Sequence, residues 1–175
     1  MPGRIHDFLR RQGRDGSGRS LAEVVGFDDG RIEAVHDFIQ WLFPLAEASR
    51  AVAGSPALDE TQAPAIRADP QALAGFRAGL QRMARFHAET DGWLNGFDHN
   101  HLRITRIVTA TRNLLGQVEA ETFHRAVVSR NAAAGSPVNR ESLRYWEQAL
   151  GRRPLDWTFD PPVCFISAVT FELAD

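Results

Sequence analysis

The densest apolar pattern in the chain covers residues 29–45, with the sequence DGRIEAVHDFIQWLFPL. At about 100° per residue, its large apolar side chains cover most of the circumference of a helix. The polar side chains that interrupt this surface fall at i, i+3, i+4 and i+7 and form one stripe, here called the polar seam: Glu33, His36, Asp37 and Gln40. Such a helix is normally buried, and Pro44 would end it. The pattern predicts one long central helix with a narrow polar seam.

A second apolar pattern covers residues 99–116, with Asn100 as the expected N-cap and Gly116 just past the C-terminus. Arg103 lies at the edge of its buried face. Because an unpaired buried guanidinium is very costly, Arg103 should bond the seam carboxylates of Glu33 or Asp37, with Arg106 nearby. The alternative is that the seam is an open pocket, in which the arginines hold a carboxylate or phosphate ligand.

The rest of the chain reads as shorter helices joined by turns. Ser20 should cap a helix with Glu23 as its capping-box partner, and Asp69 followed by Pro70 should start a longer helix. Gly75 and Gly79 on that helix predict a close approach of another helix. Within residues 154–175, the run VCFISAVTFEL is rich in β-branched and aromatic side chains, which favours a tail that is extended or packed on the domain as a lone strand. The prediction is an all-α, single-domain bundle of about six helices over residues 1–153, followed by an extended C-terminal tail.

Composition narrows the class of protein. The chain has 175 residues and a net charge of -2, which gives no general attraction to nucleic acid or anionic membranes. All 20 basic residues are arginine, which suggests a GC-rich coding sequence and a bacterial source. The one cysteine, Cys164, excludes an intrachain disulfide. With neither a secretory leader nor an apolar run of about 20 residues, a cytoplasmic location is expected.

Few residues suggest catalysis or a metal. His99 and His101 with Asp98 could begin a metal site, but zinc needs three or four ligands, and the third would come from His36 or a distant acid. Helix capping is the preferred interpretation, so neither metal nor cofactor is predicted. His36 could act as a general base, yet no nucleophile motif accompanies it, and no catalytic residue is predicted. Nucleic-acid binding through arginines of the second pattern is disfavoured, because they spread over about 180° of the helix.

The candidate binding residues are therefore those of the polar seam and its expected partners. Trp41 is included, although its place in the apolar pattern predicts first of all a buried side chain of the core. The full set is Glu33, His36, Asp37, Gln40, Trp41, His101, Arg103 and Arg106.

Two stretches, HDFIQWLFPL (residues 36–45) and HNHLRITRI (residues 99–107), closely resemble the signatures of the opioid growth factor receptor conserved domain. GRSLAEVVGFDDGRIEAV is similar to the lead-in of bacterial members, and FRAGLQRMARF (residues 76–86) resembles the helix between the signatures. The resemblance covers residues 8–150. The chain departs from the family pattern at residues 46–63, at Phe86-His87 and in the tail after Leu150.

The resemblance implies an all-helical domain of the standalone bacterial type. The animal receptor binds an enkephalin-type growth factor and carries nuclear localisation signals and C-terminal repeats that this chain lacks. The family offers no catalytic residues to carry over. We expect a non-enzymatic binding or interaction domain with a peptide, protein or small anionic ligand as partner. The alternative is a small-molecule enzyme or anion-binding protein that uses a seam of His36 and Arg103.

Overall fold

The computed structural model describes residues 3–47 and 54–151. All regular secondary structure in these ranges is helical, which confirms the all-α prediction. The helices there number nine rather than about six, because several are only one or two turns long. They are α1 (Arg4–Leu9), α2 (Leu21–Val25), α3 (Asp29–Ala34), α4 (Ile39–Leu42), α5 (Gln62–Arg67), α6 (Pro70–Glu89), α7 (His99–Leu114), α8 (Gln117–Ala133) and α9 (Arg140–Ala149). The predicted tail, residues 154–175, lies outside the described residues.

Local capping signals place most helix starts where the sequence predicts them. Ser20 and Glu23 form a complete capping box at α2. Asp69 accepts hydrogen bonds from two backbone amides at the start of α6, with Pro70 in the first turn. These caps satisfy N–H groups that have no partner inside the helix, so a short local sequence suffices to fix them.

The predicted continuous helix over residues 29–45 is wrong. The chain forms α3, then leaves helical geometry at Val35 (φ −101°, ψ 130°), and resumes with the single turn of α4. The break frees the carbonyl groups of Ile32 and Val35, and both accept hydrogen bonds from Arg103. A helix through this point would have used those carbonyls in its own ladder. Residues 31–43, which include the break, contain no glycine or proline to signal it.

Helix α6 is the centre of the packing. It contacts four helices that precede it in the sequence, α1, α2, α4 and α5, and two that follow it, α7 and α8. A Cβ atom built at Gly75 would lie 1.9 Å from the carbonyl oxygen of Leu9, and one at Gly79 would lie 3.0 Å from Leu42 Cδ2. The structure thus confirms that the two glycines admit close neighbours, which are α1 and α4.

The N-cap of helix α7 lies two residues earlier than predicted. Asp98, not Asn100, is the N-cap, and its Oδ1 accepts a hydrogen bond of 2.7 Å from the amide of Asn100. The side chain of Asn100 is fully buried and bonds elsewhere. At the other end, Gly116 follows the helix with φ 121°, as its predicted position requires. Helix α7 packs on both α8 and α9.

Across residues 3–47 and 54–151, no helix combines the length and the apolar character that crossing a membrane requires.

Candidate functional site

Arg103 links the two predicted signature segments. Its side chain is buried, with 5% of the residue exposed. Nη1 donates to the carbonyl oxygen of Ile32 and to Oδ1 of Asn100, each at 3.0 Å. Nη2 donates to the carbonyl oxygen of Val35 and lies 2.8 Å from Nδ1 of His36. The structure confirms a buried, paired arginine and corrects its partners, which are carbonyls, an amide and an imidazole rather than carboxylates.

The carboxylates of the polar seam have separate partners. Oε2 of Glu33 accepts a hydrogen bond of 3.0 Å from Nδ2 of Asn100, so Asn100 bridges Glu33 and Arg103. Asp37 instead accepts from Ser17 Oγ at 2.5 Å and from Arg19 Nη2 at 2.6 Å. Because the helix breaks between Glu33 and Asp37, the stripe that a continuous helix would align is divided between two neighbourhoods.

The protein environment shifts the pKa values of these groups without neutralising them. Burial lowers the pKa of Arg103, and the charges of Glu33 and Asp98 partly offset that effect. Burial raises the pKa of Asp37, but hydrogen bonds from Ser17 and Arg19 outweigh it, so the net shift is downward. The guanidinium and the Asp37 carboxylate therefore both remain charged near neutral pH.

Two further candidates, Trp41 and Gln40, belong to the core, and a third, Arg106, is half-buried and bonds the main chain. Trp41 is 5% exposed and packs edge-on against Phe8 at 5.7 Å between ring centroids, which confirms its role as a core anchor. Gln40 is also buried. Arg106 donates from Nη1 to the carbonyl oxygen of Phe43 at 2.9 Å, which ties α7 to the end of α4.

His101 lies away from the seam, under a different surface. Its Nε2 lies 2.9 Å from the carbonyl oxygen of Trp93, and its Nδ1 lies 3.1 Å from Oγ of Ser142. Because a carbonyl only accepts, Nε2 carries the hydrogen and Nδ1 accepts from the hydroxyl. Both ring nitrogens are occupied, so His101 does not join His36 in an acid–base pair.

A groove of about 510 Å³ opens between the beginning of α7 and α9. We call it the α7–α9 groove, and its lining residues are Phe97, Asp98, His99, His101, Leu102, Asn139, Glu141, Ser142 and Tyr145. Its apolar rim is unusually open to solvent: Phe97 is 85% exposed, Leu102 68% and Tyr145 43%. The fourth large exposed apolar side chain in the described residues, Val118, lies on α8 outside the groove.

Among these groove residues the sequence singles out only Asp98, His99 and His101, as the possible start of a metal site, and His101 also as a candidate binding residue. Nothing in the local sequence of Phe97 distinguishes an exposed aromatic ring from a buried one. Leu102 and Tyr145 lie on separate helices, and only the packing of α9 on α7 brings them to one opening.

A second group of polar side chains lies beside the buried arginine. Glu33, Asp98 and His99 each offer one potential ligand atom, and these atoms all lie within 4.8 Å of one another. The ring of His99 also packs edge-on against His36, with 4.9 Å between centroids. Burial and, after it, the charge of Arg103 lower the pKa of His99. The structure thus adds Glu33 to the acid and histidine at the start of α7.

Comparison with protein families, with curated proteins and with solved structures found no match for this chain. The resemblance to the opioid growth factor receptor conserved domain therefore stays a prediction.

Proposed function

We propose that the chain is a non-enzymatic binding domain, and that the α7–α9 groove binds a peptide segment that carries apolar and cationic side chains. One observation carries the proposal: three of the four large apolar side chains exposed in the described residues gather on this groove. Apolar surface of this kind, concentrated in a concavity rather than scattered, is typical of an interaction site.

The charge of the lining favours a cationic partner. Asp98 and Glu141 supply carboxylates to the groove, and no arginine is among the residues that line it. A lysine, an arginine or a free amino terminus on the peptide could pair with these acids while its apolar side chains cover Phe97 and Leu102. Such complementarity selects against acidic partners as well as attracting basic ones.

The alternative, an enzyme or anion-binding protein centred on His36 and Arg103, is less well supported. An anion would need free N–H donors, and both Nη atoms of Arg103 already donate within the protein. Nδ1 of His36 is likewise engaged by Arg103. A general base with that nitrogen occupied would have to break the contact first.

The proposal also includes the protein family and the cellular location. Membership of the opioid growth factor receptor conserved domain family, in its standalone bacterial form, agrees with the all-helical fold and with a role in binding. A bacterial source and a cytoplasmic location are proposed on composition and on the same resemblance.

Fluorescence anisotropy with short labelled peptides tests the proposal. The probes are one peptide of leucine and lysine, one of leucine and glutamate, and one of serine and lysine. We expect binding of the leucine–lysine peptide alone, because only that peptide offers both apolar area and positive charge. Phe97→Ser and Leu102→Ser should each weaken it about tenfold.

Val118→Ser is the matched control, because it removes an equally exposed apolar side chain at a distance from the groove. It should leave the affinity unchanged. All three substitutions should keep the free energy of unfolding within about 0.5 kcal/mol of the wild-type value, since the side chains are exposed. Equal binding of the glutamate peptide, or an equal loss in Val118→Ser, would contradict the proposal.

A further inference from the structure

The group formed by Glu33, Asp98 and His99 has the composition of a metal site, and its three ligand atoms lie close together. Nε2 of His99 lies 3.5 Å from Oε1 of Glu33, and Nδ1 lies 3.6 Å from Oδ1 of Asp98. Both distances exceed the usual 2.7–3.2 Å of an N–H···O hydrogen bond. Two ligands on a tetrahedral ion with bonds of 2.0–2.1 Å lie about 3.3–3.4 Å apart. These two distances are to opposite nitrogens of the ring, and only one of them can bind an ion that both carboxylates share. One ligand atom from each residue lies within 4.8 Å of the other two, so small side-chain movements would bring the three to tetrahedral spacing.

We propose that Glu33, Asp98 and His99 bind a divalent transition-metal ion of the zinc class. One imidazole nitrogen of His99 and one oxygen from each carboxylate would make three protein ligands, and water would complete the coordination. The two carboxylates balance the charge of the ion. The imidazole favours zinc, nickel, cobalt or copper over magnesium and calcium, which prefer oxygen ligands alone.

Buried groups next to the site hold two of the ligands in place. Asn100 is fully buried, and its Nδ2 donates to Oε2 of Glu33, which leaves Oε1 on the side of His99. The backbone amide of the same residue donates to Asp98. Its Oδ1 accepts from Arg103, which fixes the orientation of the amide. Contacts of this kind orient metal ligands and raise the affinity of a site.

His36 is excluded from the ligand set even though its ring contacts His99. Because Nδ1 of His36 accepts a hydrogen bond from Arg103, the hydrogen of the neutral ring lies on Nε2. Neither nitrogen then has a lone pair to offer an ion. The positive charge of Arg103 also lies close to the group, which should make the affinity modest compared with that of a buried structural zinc site.

Isothermal titration of the full chain with zinc chloride tests the proposal without any peptide. The background is Cys164→Ser, so that the thiol cannot supply the signal. We expect one ion per chain and a rise in melting temperature. His99→Gln and Glu33→Gln should each weaken binding by about tenfold or more, while the glutamine oxygen at position 33 can still accept from Asn100.

His124→Gln is the matched control, because Nε2 of His124 lies 3.3 Å from Oε1 of Glu147 in a histidine–carboxylate pair elsewhere. It should keep the wild-type affinity. Circular dichroism identifies any variant that fails to fold, and cobalt absorption spectra of the Cys164→Ser protein then report a histidine–carboxylate site directly. The proposal is overturned if zinc does not bind at submillimolar concentration, if binding survives in both site variants, or if His124→Gln loses it equally.

Discussion

Arg103 shows how one buried charge can hold two segments together. Its guanidinium reaches two main-chain carbonyls, an amide oxygen and a ring nitrogen, which are contributed by α3, by the α3–α4 connection or by α7 itself. Only a planar, forked donor can serve so many acceptors in fixed directions. Arg103 therefore holds α3, the α3–α4 connection and α7 together. Both of its Nη atoms have partners within the protein, so no bound anion is needed to satisfy them.

Replacing Arg103 by lysine should destabilise the protein although the charge is kept. A single ammonium group cannot reach the four acceptors, so carbonyl oxygens of α3 and its connection would lose their partners. We expect the free energy of unfolding in urea to fall by about 2–4 kcal/mol.

The control for Arg103→Lys is Arg125→Lys on the exposed face of α8. It should change the free energy of unfolding by no more than about 0.5 kcal/mol. If the two substitutions had equal effects, the organising role of Arg103 would have to be abandoned.

His87 is a second buried polar residue with a measurable consequence. It is 1% exposed, and Nδ1 lies 2.8 Å from the carbonyl oxygen of Met83. The rings of Phe86, Trp93 and Phe123 pack around it. Burial lowers its pKa to about 4, against an ordinary value of 6.5. The folded protein therefore holds this imidazole neutral.

Stability should fall as the pH drops from 6.5 to 4, because the unfolded chain protonates His87 first. The folded protein does not bind this proton until the pH reaches the lower pKa of the buried imidazole. Over this window His87 should remove about 3 kcal/mol from the free energy of unfolding.

Urea melts of wild type and of His87→Gln across the same pH range isolate this effect. The glutamine amide can still donate to the Met83 carbonyl but does not titrate. The difference in stability between the two proteins should shrink as the pH falls. Parallel pH profiles would refute a buried neutral His87.

At the scale of elements, local signals set helix starts and tertiary contacts set one helix break. The capping box at α2 and the Asp69-Pro70 start of α6 require only neighbours in sequence. The break between α3 and α4 depends on Arg103, which is 68 residues from Val35. Periodicity depends only on the spacing of apolar residues, so it predicted one continuous helix where the chain forms two short ones.

Gly75→Ala tests the close contact between α6 and α1. Alanine normally stabilises a helix interior relative to glycine by up to about 1 kcal/mol. Here the added Cβ would lie 1.9 Å from the carbonyl oxygen of Leu9, so the backbones must separate. We expect a loss of about 1–3 kcal/mol in the free energy of unfolding.

Gly30→Ala in α3 is the matched substitution, because the nearest atom to its added Cβ lies at 3.6 Å. It should leave the protein as stable as before or slightly more stable. A gain at both glycines would mean that α1 does not pack closely on α6.

At the scale of the whole molecule, the α7–α9 groove results from the way helices meet. Trp146 of α9 is fully buried and donates from Nε1 to the carbonyl oxygen of His101 at 3.0 Å. That contact fixes α9 beside the beginning of α7. The rim side chains of the two helices then face one opening, with acidic groups among them.

Binding of the leucine–lysine peptide should weaken as salt is added. The net charge of -2 gives little general attraction, so the effect should come from the carboxylates in the groove. Raising the ionic strength from about 0.05 M to about 0.5 M should increase the dissociation constant by roughly three- to tenfold.

Glu141→Gln should reduce this salt dependence and weaken binding at low salt. Fluorescence anisotropy at several salt concentrations measures both. A dissociation constant that does not change with salt would count against charge complementarity as the basis of selection.

The candidate site was only partly predictable. Arg103 was identified because an arginine at the edge of an apolar helix face must find partners, and Glu33 does lie near it. The actual partners were not predictable, because the carbonyls of Ile32 and Val35 are left free by a helix break that the sequence does not signal. Asp98 and His99 were noted as a possible start of a metal site, but the third member of their group, Glu33, is distant in sequence.

By itself the sequence determined the helical class, most helix starts and the close approach at Gly75, because periodicity, caps and glycine spacing act over a few residues. Only the tertiary structure decided that residues 29–45 form two helices, that Asp37 turns to Arg19, and that a groove opens between α7 and α9. Those features depend on contacts between side chains far apart in the chain. Their partners are fixed by packing, which no local pattern encodes.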